Sequence, residues 1–190
     1  MGRLAFWNDR HSRSGSIPPP ARVVIENQHL LPPKGQGLDL ACGLGANALF
    51  LAQHGIETLA WDFSDVAIDR LKEMSQRQSL PLTAEVRDVV SFPPWSDGFD
   101  CVVVSRFLER SLAGPIMASL RPGGILMYQT FLRDKSPGIG PDDPAYLLNP
   151  NELLTMFSRL RLLAYREEGQ VGNRALGWRN EAMLVGMRVD

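Results

Sequence analysis

Apolar runs of strand length recur along the chain, and segments with helical spacing or with glycine and proline lie between them. The runs end at Leu40, Trp61, Arg87, Ser105 and Phe131. The run Phe99–Ser105 is nearly continuous and rich in valine, which is typical of a strand buried on both faces. Strands that alternate with helices predict a parallel sheet covered by helices on both sides, and therefore an α/β fold.

The last third of the chain departs from this alternation. Asn149–Phe157 predicts a short helix with proline in or near its first turn. Two strand-like runs follow, Leu160–Glu168 and Glu181–Arg188, and the loop between them is rich in glycine, asparagine and arginine. We therefore expect a terminal β-hairpin.

Length and composition predict one domain. The chain has 190 residues, of which 44% are hydrophobic, enough for one sizeable core and few for two. Pro18–Pro20 breaks the chain after an N-terminal arm. The expected parts are that arm (1–20), a core (21–135) and a segment with a long loop, the last helix and the hairpin (136–190).

A glycine turn follows the first apolar run. Gly37–Ala48 predicts a strand, a turn and the start of a helix over Leu44–His54. Gly43 and Gly45 have no Cβ, so the backbone can turn sharply and a nucleotide-like cofactor can approach it, facing the N–H groups of the helix. NAD enzymes carry a similar Gly-x-Gly-x-x-Gly turn that tolerates alanine in the third position, here Ala48, so the glycines alone leave the cofactor open.

Acidic residues end the next two apolar runs. Asp62 lies 17 residues after Gly45, close to the spacing of an acid that accepts hydrogen bonds from ribose hydroxyls. Its alternative role is to cap the next helix, although Ser64 already suits that position. Asp88 ends the following run, where its alternative role is a turn ahead of Ser91–Pro94.

The stretch Leu-Asp-Leu-Ala-Cys-Gly-x-Gly resembles motif I of the class I S-adenosylmethionine (SAM) dependent methyltransferases, with Asp39 as the acid four positions before the first glycine. Asp62, Asp88 and the Leu-Arg-Pro-Gly-Gly turn at 120–124 follow in the order of that family. The resemblance implies SAM as cofactor and S-adenosylhomocysteine as product. It also implies a Rossmann-like, mostly parallel seven-stranded sheet in the order 3-2-1-4-5-7-6, with strand 7 antiparallel and the cofactor at the carboxyl ends of the strands.

The same resemblance assigns roles in the cofactor site. Asp62 would bind the ribose, Asp88 would receive the adenine amino group, and the ring would lie between Phe63 and Val89. Phe63 has the alternative of ordinary packing. The complete implied set is Arg10, Asp39, Ala41, Cys42, Gly43, Gly45, Asn47, Asp62, Phe63, Ser64, Asp88, Val89 and Ser105.

The arm and a later loop narrow the resemblance. Phe6–His11 resembles the Trp-(Asp/Asn)-x-Arg-(Tyr/Phe) opening of small tellurite-resistance TehB-like and thiopurine methyltransferases. There the arm folds over cofactor and substrate, so Trp7 would give apolar cover and Arg10 a fork of donors for a carboxylate or an anionic substrate. This chain has His11 where an aromatic ring is common. The alternative is a frayed terminus with one tryptophan packed on the body.

The loop Gly140–Leu154 also resembles TehB-like proteins. Because it follows the fifth strand, it is expected to form a wall of the acceptor pocket. Tyr146 and Phe131 would then be apolar lining, and Arg106 a polar contact for the substrate. The alternative for all three is ordinary loop packing.

The cofactor determines what the protein must supply. SAM carries an activated methyl group, so the protein aligns the acceptor and excludes water. Soft acceptors, such as thiol, selenium or tellurium species, need little base catalysis, and no convincing base follows the fourth strand. Arg106, Glu109 and His11 are weak catalytic candidates, with a solvated helix position as the alternative for Glu109 and an ordinary surface position for His11. Two other functions stay open, SAM binding without turnover and NAD binding.

Charge and composition exclude several classes. The net charge is −1 and the charges are dispersed, so no basic patch indicates nucleic acid. The motif Phe92–Trp95 follows the third strand, whereas the similar motif of DNA-methylating enzymes follows the fourth. DNA is therefore excluded as acceptor and RNA is disfavoured.

The remaining expectations concern metal, location and assembly. The three histidines and two cysteines show no metal-ligand spacing. The two cysteines, Cys42 and Cys101, fit free thiols in a cytoplasmic protein. No apolar stretch is long enough for a membrane span, and no signal-peptide pattern opens the sequence. The oligomeric state stays open.

Overall fold

The computed structural model describes residues 2–190 and contains one seven-stranded sheet. The strand order is β3-β2-β1-β4-β5-β7-β6, with β7 antiparallel to both of its neighbours. The strands are β1 Gln36–Leu40, β2 Glu57–Asp62, β3 Leu82–Val86, β4 Phe99–Ser105, β5 Leu120–Phe131, β6 Arg161–Arg166 and β7 Glu181–Met187. The predicted fold class, strand order and antiparallel last strand are confirmed.

Six α-helices flank the sheet or connect to it. They are α1 Arg3–Arg13, α2 Arg22–Glu26, α3 Ala46–Gln53, α4 Asp65–Gln78, α5 Ala113–Ser119 and α6 Glu152–Met156. Three short 3₁₀ turns lie at Gln28–Leu30, Arg110–Leu112 and Pro144–Tyr146. The helix predicted from Leu44 begins two residues later, because Gly45 adopts φ +77° and serves as its N-cap. Within residues 2–190, no helix is long and apolar enough to cross a membrane.

The core lies on both faces of β4. Val102 and Val104 pack in one apolar cluster with Leu38 and Tyr128, on one side of the sheet. Val103 packs with α2 and with the helix that follows β1, on the other side. This alternation explains the continuous apolar run, because a central strand of a doubly covered sheet has no solvent face.

The parallel strands bring the functional loops to one edge of the sheet. β1 pairs with β2 on one side and with β4 on the other, in parallel register. The loops after these three strands therefore share the carboxyl end of the sheet, at the point where the strand order reverses. The glycine turn, Asp62 and Ser105 all lie at this end.

Candidate cofactor and acceptor site

The glycine turn is built from left-handed backbone. Ala41, Gly43 and Gly45 have φ values of +55°, +53° and +77°. A Cβ on Gly45 would lie 2.4 Å from Leu71 of α4, so the turn packs directly on that helix. A Cβ on Gly43 would lie 3.4 Å from His11, so α1 is the nearest element above the turn. Glycine is thus required at 45 by space and by φ, and favoured at 43 by φ.

Asp39 supports the turn from below. Its carboxylate is completely buried and accepts hydrogen bonds from the Ala48 amide at 3.0 Å and from Asn47 Nδ2 at 3.4 Å. Burial raises its pKa to about 7, against the lowering effect of those two donors. The carboxylate therefore fixes the start of α3, and its predicted contact with the cofactor stays a prediction.

We expect Asp39 to make stability depend on pH. Its pKa is higher in the folded chain than in the unfolded chain, so the folded state loses stability as pH rises between about 4 and 7. Asp39→Asn cannot ionise and should lack this loss. Relative to wild type, its free energy of urea unfolding should therefore rise with pH, by at most about 1.4 kcal/mol per pH unit. Parallel curves for the two proteins from pH 5 to pH 8 would contradict this assignment.

Asn47 joins three segments at the mouth of the site. Its Nδ2 donates to Ser105 Oγ at 2.9 Å, and its Oδ1 accepts from the Ala21 amide at 2.8 Å. The end of β4 and the segment before α2 are therefore fastened to the first turn of α3. The structure brings together the predicted residues Asn47 and Ser105.

Asp62 connects the glycine turn to the start of α4. One carboxylate oxygen accepts from the Gly43 amide and the other from the Ser64 amide, each at 2.9 Å. Ser64 Oγ accepts from the Ala67 amide at 3.2 Å, which confirms Ser64 as the N-cap of α4. The cap is thus not the role of Asp62. Each of its oxygens retains a lone pair for a further donor.

The predicted adenine residues differ in exposure. Asp88 is exposed and accepts from Ser91 Oγ at 2.8 Å and from the Val90 amide at 3.1 Å; the Ser91 bond is the main cause of its lowered pKa. The alternative turn role of Asp88 is therefore present, and the carboxylate still reaches solvent. Val89 is buried in the core, and the half-buried Phe63 has the Arg3 guanidinium 5.6 Å from its ring centre.

The N-terminal arm is a helix attached to α4 by polar contacts. Asn8 accepts from Ser64 Oγ and donates to Asp65, both at 2.6 Å. Arg70 donates to the carbonyl oxygens of His11 at 2.6 Å and Ser14 at 2.9 Å. No residue of α1 is buried, so these hydrogen bonds provide much of its attachment. The arm therefore lies over the carboxyl end of the sheet, contrary to the frayed alternative.

Three predicted residues of the arm share one face. Trp7 is half-buried and stacks on His11 with ring centres 5.6 Å apart, and the Arg10 guanidinium lies 5.6 Å from the Trp7 ring. Burial lowers the pKa of His11, with the Asp62 charge acting in the opposite direction, so the neutral imidazole is favoured. Arg10 is exposed, and its contact with a cofactor carboxylate stays a prediction.

The two candidates that follow β4, Arg106 and Glu109, each have a hydrogen-bond partner within the fold. Arg106 follows β4 with φ +54°, and its Nε donates to Glu181 at 3.0 Å. Glu109 accepts from the amide and hydroxyl of Ser111, which lower its pKa and commit it to a cap. The weak catalytic assignment of Glu109 thus receives no support from its geometry.

Arg110 has a structural role that was not predicted from the sequence. Its guanidinium donates to both oxygens of Glu152, at 2.6 and 3.1 Å, and to the carbonyl oxygens of Ala145 at 2.7 Å and Leu147 at 3.0 Å. These four bonds fasten the loop after β5 to the loop after β4. Glu152 belongs to the loop Gly140–Leu154 that resembles TehB-like proteins. Its partner Arg110 lies 42 residues away in the sequence.

Of the two predicted apolar residues, Tyr146 lies in this loop and Phe131 is the last residue of β5. Tyr146 is 43% exposed. Gly140 packs on Phe131, because a Cβ at 140 would lie 2.6 Å from the ring. The loop is thus anchored at Phe131 and at Arg110 and leaves Tyr146 accessible.

We expect Arg110→Ala to loosen this loop. The charge-assisted bonds to Glu152 are partly exposed, so their loss, together with the two carbonyl contacts, should cost about 2 kcal/mol of unfolding free energy. Hydrogen exchange of the amides in 145–152 should become faster. Arg110→Lys keeps the charge and loses the fork of guanidinium donors. Its exchange rates and its unfolding free energy should therefore lie between those of wild type and Arg110→Ala. Unchanged hydrogen exchange in Arg110→Ala would show that the four hydrogen bonds from Arg110 do not hold the loop.

The fold and the glycine turn define a Rossmann-like domain of the class I methyltransferase type. Residues 38–124 match a family model described as a methyltransferase domain. By this match the segment is similar to methyltransferase domains, a family whose cofactor is SAM. The chain resembles TehB in sequence over part of its length and in fold over nearly all of it, in agreement with the motifs.

Three curated relatives give the range of similarity. The chain is 36% identical over 94 residues to hemagglutinin 1 of Eikenella corrodens, covering 46% of this chain and 31% of that protein. It is 31% identical over 124 residues to YqeM of Bacillus subtilis, assigned as a methyltransferase, covering 59% and 49%. It is 28% identical over 87 residues to TehB of Haemophilus influenzae, assigned as a SAM-dependent methyltransferase, covering 44% and 30%. The chain thus spans between about a third and a half of the length of these relatives.

Solved structures share the fold over most of the chain. The structure of TehB from Haemophilus influenzae superposes with a TM-score of 0.70 at 19% identity, over 97% of this chain and 66% of that one. A structure from work on the conversion of a disulfide bond into a thioacetal group during echinomycin biosynthesis superposes with a TM-score of 0.72 at 23% identity, over 98% and 92%. At these identities the likeness shows the fold.

Proposed function

We propose that this chain transfers a methyl group from SAM to a small-molecule acceptor with a soft nucleophilic atom, by in-line displacement. The observation that carries the proposal is the placement of Asp62. Its two oxygens bridge Gly43 and Ser64 and keep free lone pairs beside a turn made of left-handed backbone. A ribose diol has two donors, which matches that carboxylate.

The other residues of the site fit the rest of the cofactor. His11 of α1 faces Gly43, because a Cβ at 43 would lie 3.4 Å from its ring. Phe63 is partly open, and the exposed carboxylate of Asp88 can accept from an exocyclic amine. When bound, SAM supplies an activated methyl group on sulfur.

The residues of this chain then align the reacting groups and cover the site. The Asn47–Ser105 hydrogen bond fixes the end of β4 beside the turn, and α1 covers the same end of the sheet. Alignment of this kind is a large part of what a displacement reaction requires. A thiolate or selenolate attacks without a protein base, which agrees with the commitment of Glu109 to Ser111.

Thiols, selenium species and tellurium species form the proposed acceptor range, and tellurite resistance belongs to this proposal. The likeness in fold to the protein of the disulfide-to-thioacetal conversion supports sulfur as an acceptor atom. The free thiols of Cys42 and Cys101 support a cytoplasmic location. The dispersed charge supports a small molecule over nucleic acid.

A second candidate is SAM binding without turnover. It is favoured by the commitment of Glu109 to a cap, which leaves the loop after β4 with one acidic side chain fewer for catalysis. Formation of S-adenosylhomocysteine separates the two functions. Purified protein is incubated with SAM and a panel of thiols, hydrogen selenide and tellurite, and the product is quantified by mass spectrometry. Product with at least one soft acceptor is expected; tight SAM retention without product across the panel would establish the second candidate.

A further inference from the structure

Arg106 presents hydrogen-bond donors that the fold does not use. Its Nε donates to Glu181 at 3.0 Å and its backbone amide to Gln129 at 2.8 Å. The terminal nitrogens Nη1 and Nη2 make no hydrogen bond with any residue in 2–190. The side chain is 58% exposed at the carboxyl end of β4, where the acceptor side of the site lies.

The orientation of this guanidinium is fixed by a buried network. Glu181, which is 9% exposed, accepts from Arg106 and from Gln129 Nε2. Gln129 in turn accepts from the Val23 amide at 2.8 Å, which ties the network to α2. Arg106 itself holds φ +54°, a left-handed conformation that is unfavourable for a non-glycine residue. Strain of this kind persists where the surroundings impose it and is concentrated at functional sites.

Lys135 is a second cation at the carboxyl end of the sheet, in the loop after β5. Its side chain is 8% exposed, and the nearest carboxylate, Asp142, is 3.8 Å from Nζ and 95% exposed. No hydrogen bond from Nζ is found within the described part of the chain, so the ammonium has no close partner although most of the side chain is covered. The next residue, Ser136, donates its amide to Asn180 at 2.8 Å, and Asn180 precedes Glu181. Arg106 and the residue that follows Lys135 thus both bind the short stretch at the start of β7.

We infer that the methyl acceptor carries a carboxylate, which the terminal nitrogens of Arg106 bind with support from the Lys135 ammonium. The two terminal nitrogens of a guanidinium match the two oxygens of a carboxylate, and such paired bonds are among the strongest in proteins. Glu181 and Gln129 act as positioning residues, because they orient Arg106 without reaching the substrate. The inference rests on the proposed function and narrows its acceptor to short thiols or selenols that carry a carboxylate.

Binding of three thiols of similar size tests the charge preference. The probes are 3-mercaptopropionate, 2-mercaptoethanol and cysteamine, titrated by ligand-observed NMR with and without saturating S-adenosylhomocysteine. Wild type should bind 3-mercaptopropionate roughly tenfold more tightly than the other two. Arg106→Gln should abolish the preference, and Lys135→Gln should reduce it. Arg77→Gln and Lys72→Gln, on the exposed side of α4, are the matched controls and should preserve it.

The outcomes separate this inference from the proposed function. Equal binding of the three thiols, no detectable binding of 3-mercaptopropionate, or a preference that survives in Arg106→Gln would overturn the inference. Absence of S-adenosylhomocysteine binding would overturn the proposed function, while the titrations without it still report on Arg106. Turnover of 2-mercaptoethanol at the rate of 3-mercaptopropionate would keep the function and reject the carboxylate.

Two further variants test the positioning role. Glu181→Gln keeps the size of the side chain and removes its charge, so it should lower the carboxylate preference while the variant remains folded by circular dichroism. Arg106→Lys keeps the charge and loses the fork, so it should restore part of the preference lost in Arg106→Gln. A purely structural role would change thermal stability in Glu181→Gln and leave the preference intact.

Discussion

Asp62→Ala should lose SAM and S-adenosylhomocysteine binding almost completely. The carboxylate at the end of β2 is nearly buried and faces the glycine turn, and hydrogen bonds to a charged group contribute about 1.5–3 kcal/mol each. The loss of two ribose bonds should therefore weaken binding by roughly a hundredfold or more. The measurement is isothermal titration calorimetry of S-adenosylhomocysteine into wild type and variant.

The variant also leaves the amides of Gly43 and Ser64 without their acceptor, so folding must be controlled. Asp62→Asn retains one acceptor oxygen and the side-chain size, and it should stay folded while binding weakens at least about tenfold. Asp69→Ala, an exposed acid on α4, should bind as wild type does. Unchanged affinity in a folded Asp62→Asn would contradict the ribose assignment.

Gly45→Ala should be the most destabilising of the turn substitutions. The new Cβ would lie 2.4 Å from both Leu71 methyl carbons, and the residue must hold φ +77°. Overpacking costs about 1–3 kcal/mol and the left-handed backbone about 1–2 kcal/mol, so urea unfolding should show a loss of about 3 kcal/mol or more.

Gly55→Ala separates the two causes. Gly55 has a similar φ of +81°, and a Cβ there meets nothing within 4 Å. Gly55→Ala should therefore lose only the unfolding free energy that the left-handed backbone costs, about 1–2 kcal/mol. Equal losses for the two variants would show that the contact with Leu71 relaxes freely and that packing on α4 does not require glycine at 45.

The sheet could be predicted from local patterns because each strand carries its own signal. Residues Phe99–Ser105, predicted from an apolar run, form β4 with the same bounds. The strand order came from the motif resemblance, since alternation alone predicts a parallel sheet and not its order. The predicted cap at Ser64 is also a local feature, and the structure confirms it.

The errors and omissions have a common physical origin in long-range contacts. The start of α3 was placed two residues early because the sequence does not show that Gly45 takes a left-handed conformation. Arg110 and Glu152 are 42 residues apart, and Arg106 and Glu181 are 75 apart. Sequence marks each of these side chains as charged but gives no sign of its partner.

The N-terminal arm is also held by long-range contacts that the sequence does not reveal. Its motif predicted a cover over the site, and the structure adds that it is a helix attached through Asn8 and Arg70. Arg70 is an ordinary polar position in the sequence, and Asn8 is the Asp/Asn position of the motif, for which no role was predicted. The motif pointed to Trp7 and Arg10, which lie against each other.

The most direct test of the central claim is a calorimetric titration of the purified wild-type chain with SAM, S-adenosylhomocysteine and NADH. A SAM-dependent methyltransferase domain should bind the first two in the micromolar range, about −8 kcal/mol, and NADH not at all. Binding of NADH, or no binding of SAM and S-adenosylhomocysteine by folded protein, would contradict the assignment of the glycine turn and Asp62 to this cofactor.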